Sequence, residues 1–294
     1  MDDSDWNHEF AEVNGIEMHY VRHGDGSPLL LLHGWPEFWY AFRKNIPALA
    51  EEFEVVAPDL RGFGDTENPD LSAEDGYTVA DHVADVHGLV DELGFDEVGI
   101  VTHDAGSYVA QEFARTHPDR LAGLFFFNCL YPGIGRRAGR GEHVQEVWYQ
   151  TFNSLPWAAD LVGSSRKACR LYLDHFLSHW ASDPTTFDDD LDVWVDTYMH
   201  SNNLQAGFYW YNVTAADRLE LLQTGAPELQ KIETPTRVMW GQDDPIHRVE
   251  FSDRLDEYFA DCQYSSVPDT GHYVHYERPE LTNEQVAAFF SEQF

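Results

Sequence analysis

Short apolar runs, each ending in polar or reactive residues, constrain this chain most. They read PLLLLHG at Pro28–Gly34, the strand from Phe53 to Ala57, Val98–Val101 leading into THD, and Leu121–Phe127. After a long interval come Thr236–Trp240 and Gln263–Val267. Runs this apolar suit strands buried on both faces. Helical patterns at Phe38–Ala50, Val79–Leu93 and Ala110–Thr116 separate the first four. Strand and helix in alternation dictate an α/β architecture, with a parallel sheet and helices on both faces. An Asn14-Gly15 turn between Phe10–Val13 and Ile16–Val21 predicts a hairpin ahead of it.

The alternation stops near Tyr131. As far as Asp217 the chain is rich in Trp, Tyr, Phe and His at helical spacing, with GIGRRAGRG near its start as a predicted hinge. Strand character then returns, and a helix at Leu281–Phe290 ends the chain. The expected organisation is a core over residues 1–130, a helical insertion after strand six over 131–218, and the rest of the core over 219–294.

Composition removes several function classes. The formal net charge is -34, and Lys44, Lys167 and Lys231 are the only lysines. No basic patch is available to displace phosphate counterions, so nucleic acid is excluded as a partner. Such a surface repels itself at low salt, and at about 1 M salt a Debye length of roughly 3 Å screens it. This points to a cytoplasmic protein adapted to high salt. The acidic N-terminus MDDSDWNHEF has no apolar core of a signal peptide, and no apolar run reaches membrane-spanning length. Cys129, Cys169 and Cys262 fit neither a zinc nor a disulfide pattern, and Cys129 in LFFFNCL is expected to be buried and inert. The run Asp188-Asp189-Asp190, with Asp183, Asp192 and Asp196 nearby, lacks EF-hand spacing and reads as a solvated face. No metal or cofactor is expected.

In an open α/β sheet, ligands gather at the carboxyl ends of the strands. Four such ends here carry His33-Gly34-Trp35-Pro36, His103-Asp104, Gly241-Gln242-Asp243-Asp244 and Gly271-His272. Their order of nucleophile, acid and histidine is that of the α/β-hydrolase triad. The surrounding residues resemble that superfamily over nearly the whole chain. More narrowly, they resemble its epoxide hydrolases and haloalkane or haloacetate dehalogenases. The resemblance rests on HGWPEFWYAFR, APDLRGFGDTENP, THDAGS, WGQDDPI and GHYVHYERPE, five motifs in the right order.

The resemblance implies the α/β-hydrolase fold with a helical cap, and an elbow that places Asp104 as nucleophile. Thr102 stands where glycine is usual, and Ser107 lies three residues beyond, inside the helix. A serine attacking a saturated carbon would leave an ether that water does not readily remove. A carboxylate leaves an ester that water can hydrolyse. An aspartate is also ionised at neutral pH without help. His272 is then the base that activates water, and Asp244, rather than the adjacent Asp243, is the acid that orients it. The N–H groups of Trp35 and Ala105 form the expected oxyanion hole. His33 is expected to brace that loop, and His103 and His275 to be structural.

The substrate expected is a small hydrophobic organic molecule, with water as co-substrate. An epoxide oxygen needs a donor as the ring opens, and the resemblance assigns that task to two tyrosines. FYWYN supplies Tyr211 and VWYQTF supplies Tyr149. Ala105 stands where haloalkane dehalogenases carry a halide-holding tryptophan, while Trp35, Trp148 or Trp210 could still hold a halide. Epoxide hydrolysis is therefore the first reading and dehalogenation the second, followed by an esterase-like hydrolase or a non-catalytic binding protein of this fold.

Overall fold

A computed structural model describes residues 6–294. Residues 1–5, part of the N-terminal stretch discussed above, lie outside the described residues. Eight strands form one sheet in the order β1-β2-β4-β3-β5-β6-β7-β8. These are β1 His8–Val13, β2 Ile16–His23, β3 Ser27–Leu32, β4 Phe53–Pro58, β5 Val98–His103, β6 Leu121–Phe127, β7 Thr236–Gly241 and β8 Cys262–Val267. β1 and β2 are the expected antiparallel hairpin, with Val13 opposite Ile16. Its turn uses positive φ at both Asn14 and Gly15, the conformation that a two-residue hairpin favours. β2 pairs antiparallel with β4, and every later pairing is parallel.

The neighbouring strands β5 and β6 are buried at every residue, as continuous apolar runs between helical layers must be. Helices α1 Val79–Glu92 and α2 Gly106–Thr116 flank the sheet. The first begins with a reciprocal capping box, Thr78 with Asp81. The stretch Phe38–Ala50 departs from the expected single helix. It forms two short pieces, Trp39–Phe42 and Ile46–Leu49. The break lies at Asn45, whose side chain instead bonds His275 O, Thr282 Oγ1 and Asn283 Oδ1. Pro47 follows it, and proline is tolerated only in a helix's first turn.

Between β6 and β7 the described chain is mainly helical as far as Thr224. GIGRRAGRG forms 3-10 turns kinked at Gly135 and tied by Arg137 to Asp253. The helices that follow include α3 Trp148–Asn153, α4 Arg166–Trp180, α5 Leu191–Met199, α6 Asn203–Val213 and α7 Ala215–Thr224. Residue 218, the expected end of the insertion, falls inside α7. The acidic run is only partly a solvated face. Asp188 and Asp189 are exposed, but Asp190 is buried and paired with Arg43 and Tyr276. α8, Pro279–Phe290, closes the chain. No helix among the described residues is long and apolar enough to cross a membrane.

Candidate active site

The carboxyl ends of β3, β5, β6 and β7, with the loop after β8, converge on Asp104. This residue follows β5 directly and has φ 47°, left-handed for a residue with a Cβ. Such a backbone costs about 1–3 kcal/mol and persists where neighbours over-determine it. Here the neighbours are two glycines. A Cβ on Gly34 would come within 2.5 Å of Asp104 Cβ, and one on Gly106 within 2.7 Å of His33 O. Only glycine lets the loop after β3 and the head of α2 close around the turn.

That closure puts the Trp35 N–H 3.0 Å from Asp104 Oδ1. Ala105, the N-cap residue of α2, is buried beside it, and its N–H faces no intrahelical carbonyl. The Trp35–Pro36 peptide is cis, and Pro36 O accepts from the Trp194 indole at 2.8 Å, joining this loop to α5. Ser107 is buried in α2, its N–H on the Asp104 carbonyl. Among the described residues no hydrogen bond or ion pair joins its hydroxyl to a histidine.

The other carboxylate oxygen, Oδ2, faces His272. The His272 Nε2 is 3.8 Å away, fully buried, and without a hydrogen-bond partner among the described residues. Its Nδ1 lies 2.8 Å from Asp244 Oδ2, and since a carboxylate accepts, Nδ1 carries the proton. Asp243, the neighbouring candidate, reaches Ser182 instead. Burial alone would push the His272 pKa down, but Asp244 outweighs it. With further help from Asp104 and Glu37 the pKa is carried up to about 9. The Asp244 carboxyl is held below its ordinary range: burial opposes this, and His272, His247 and backbone N–H bonds prevail.

Tyr149 on α3 and Tyr211 on α6 are both buried, with ring centroids 5.5 Å apart and nearly perpendicular. Trp35 links them to Asp104. Its indole stacks on Tyr149 at 5.4 Å and meets Tyr211 edge-on at 5.4 Å. Burial raises the pKa of both phenols, with the Asp104 charge adding to it, so both keep their protons at neutral pH. Trp148 is 44% exposed and packs on Phe152 and Phe176. Trp210 is buried against His82 and Tyr108.

The motif reading missed three residues here. Asn128 follows β6 with φ 44°. Its amide donates to Asp244 Oδ2 and accepts from the Gly241 N–H at 2.9 Å, fixing the acid loop. Position at a strand's carboxyl end was the available signal. Glu37, two residues after Trp35, accepts from Gly34 N–H at 2.8 Å and contacts His103 Nδ1 at 2.7 Å. His103 in turn donates from Nε2 to the His272 carbonyl at 2.9 Å, so this buried chain locks the Trp35 loop to the His272 loop. His33 ties Gly34 O to the Leu60 N–H. His247 is the third, with Nε2 3.6 Å from Asp104 Oδ2.

Two groups bring metal-ligating atoms together, Glu37 with His103 and His275, and Asp104 with His247 and His272. In the first, both His103 nitrogens are already bonded. In the second, the atoms are those of the Asp104 site itself.

The chain is 33% identical to the soluble epoxide hydrolase of Corynebacterium sp. (strain C12) over 292 residues, 97% of each protein. Among solved structures it resembles epoxide hydrolase CorEH without ligand, at 32% identity and TM-score 0.84 over 98% of this chain and 100% of that one. It also resembles wild-type Cfl2 from Burkholderia cenocepacia, at 27% identity and TM-score 0.83 over 97% and 96%. The alpha/beta hydrolase fold family matches residues 27–279, from the start of β3 to the head of α8. With the sheet order and the Asp104 turn, that match settles the family: this chain belongs to the alpha/beta hydrolases.

Proposed function

We propose that this protein is an epoxide hydrolase that works through an ester on Asp104 and yields a vicinal diol. The observation that carries the reading is the placement of one buried carboxylate. Its Oδ1 sits on the Trp35 N–H, its Oδ2 faces a carboxylate-oriented histidine, and two protonated tyrosines flank the Trp35 ring. The full-length likeness to the Corynebacterium enzyme supports it.

In the first half-reaction Asp104 attacks an epoxide carbon and the C–O bond breaks. Tyr149 and Tyr211 donate to the leaving oxygen, which takes a tyrosine proton and becomes a hydroxyl. In the second half, water attacks Asp104 Cγ. The developing oxyanion lies on the Trp35 and Ala105 N–H groups, and His272 takes the water's proton. Collapse breaks the ester bond, the leaving diol oxygen takes the remaining proton of the former water from the new Asp104 carboxyl, and the carboxylate is restored.

The proton inventory closes. With its pKa near 9, His272 is an imidazolium in the resting enzyme at neutral pH. Alkylation neutralises Asp104 and removes one of the charges holding that proton. His272 then returns it to the tyrosinate and is free to act as base. Epoxide plus water gives diol, with no net proton change.

The helices between β6 and β7 serve in this reading as a cap, since they carry both tyrosines over the sheet. We assign the cap to residues from 131 through the end of α7, and the core to the segments on either side. The partners are a small organic epoxide and water. Diol and halide should be assayed in parallel on panels of epoxides and haloalkanes. Diol from epoxides without halide release is expected. Halide release with no diol would replace this reading with dehalogenation.

A further inference from the structure

Asp104 faces two imidazoles. His247 Nε2 is 3.6 Å from Asp104 Oδ2, and His272 Nε2 is 3.8 Å from the same oxygen. The two rings are 5.1 Å apart at 74°. His247 Nδ1 lies 2.9 Å from the Asn128 carbonyl, which can only accept. Nδ1 therefore carries the hydrogen, and Nε2 presents a lone pair. Burial holds the His247 pKa below its ordinary value against the pull of Asp104 and Asp244, so the ring is neutral. Asn128 fixes both rings, through its carbonyl to His247 and through its amide to Asp244 beneath His272.

We propose that His247 is the second acceptor for the hydrolytic water, holding it with His272 over the ester carbon of Asp104. The inference rests on the aspartyl-ester reading above and names a residue that reading does not use. A water donating to two acceptors at ~2.8 Å spans ~4.4 Å between them. One nitrogen from each ring and an Asp104 oxygen all lie within 4.8 Å of one another. With both hydrogens engaged, the water's lone pair is left for Asp104 Cγ.

Their partners divide the labour. Asp244 steadies a positive His272, so His272 takes the proton as the new C–O bond forms. His247 has only a neutral carbonyl behind it, so it keeps the second O–H as a hydrogen bond. The proton leaves His272 with the turnover cycle described above, and His247 ends unchanged.

Two substitutions separate this role from mere packing. In His247→Asn the amide can still donate to the Asn128 carbonyl, but nothing replaces Nε2. In His247→Gln the amide oxygen reaches the Nε2 position. Each would be mixed with an epoxide in single turnover, following the ester by intact mass and the diol by chromatography, beside wild type and His272→Gln. For His247→Asn we expect ester formation within about twofold of wild type and ester breakdown slower by about tenfold, the loss of roughly one hydrogen bond to the attacking water. His247→Gln should regain most of that rate. Unchanged breakdown in His247→Asn, or better retention there than in His247→Gln, would overturn the proposal. If His272→Gln forms no adduct on Asp104, the ester reading fails, and the role of His247 fails with it.

Discussion

At the scale of the residue, the proposed chemistry rests on a few buried charges. Asp104, Asp244 and His272 are each almost fully buried, where an unpaired charge is costly. They persist because each is paired: the His272 ring bridges the two carboxylates, and backbone N–H groups take the remaining oxygens. This has a consequence for stability. The His272 pKa is raised from 6.5 to about 9 on folding. A raised folded-state pKa means that the native protein binds the proton more tightly than the unfolded chain. Its contribution is fully present below pH 6.5 and is lost as pH climbs toward about 9. Denaturation midpoints should fall over that window in wild type, and fall less steeply in His272→Gln. Equal slopes in the two proteins would contradict the charged His272–Asp244 pair.

At the scale of the element, legibility followed periodicity. The strands β3, β5 and β6 were readable because parallel strands buried on both faces leave uninterrupted apolar runs, as in Leu29–Leu32 and Leu121–Phe127. The site was readable where a motif sits at a strand's carboxyl end: Asp104, Asp244 and His272 come together as their order implied. Irregular elements were not readable. Phe38–Ala50 has a helical pattern, yet Asn45 gives its side chain to the His275 loop, a partner 230 positions away that no local rule contains. Residue 218 falls inside α7 for a related reason: Trp210 to Thr224 shows no break in composition, and α6 and α7 meet at the shared residue Thr214. His247 and Asn128 carry no motif. Each acquires meaning only when β6 and β7 lie side by side.

At the scale of the whole molecule, charge dominates. The formal charge of -34 is spread along the chain, and exposed pairs such as Arg166 with Asp192 and Asp196 neutralise little of it. Exposed pairs are individually weak, so self-repulsion outweighs them at low salt. We propose that the protein is adapted to a high-salt cytoplasm. Its melting temperature should rise from low salt to molar KCl. A temperature that stays flat or falls over that range would remove this reading, and would leave the site unaffected.

The central claim is that Asp104 becomes covalently attached to substrate and that His272 releases it. The most direct measurement is the intact mass of His272→Gln after incubation with an epoxide, followed by peptide mapping. Ring opening loses no atoms, so the account predicts protein plus the whole substrate, with the adduct on Asp104 and very slow diol release. Asp104→Asn should give no adduct, since a neutral amide is a poor nucleophile. An adduct that maps to Ser107, or turnover that survives loss of Asp104, would contradict it.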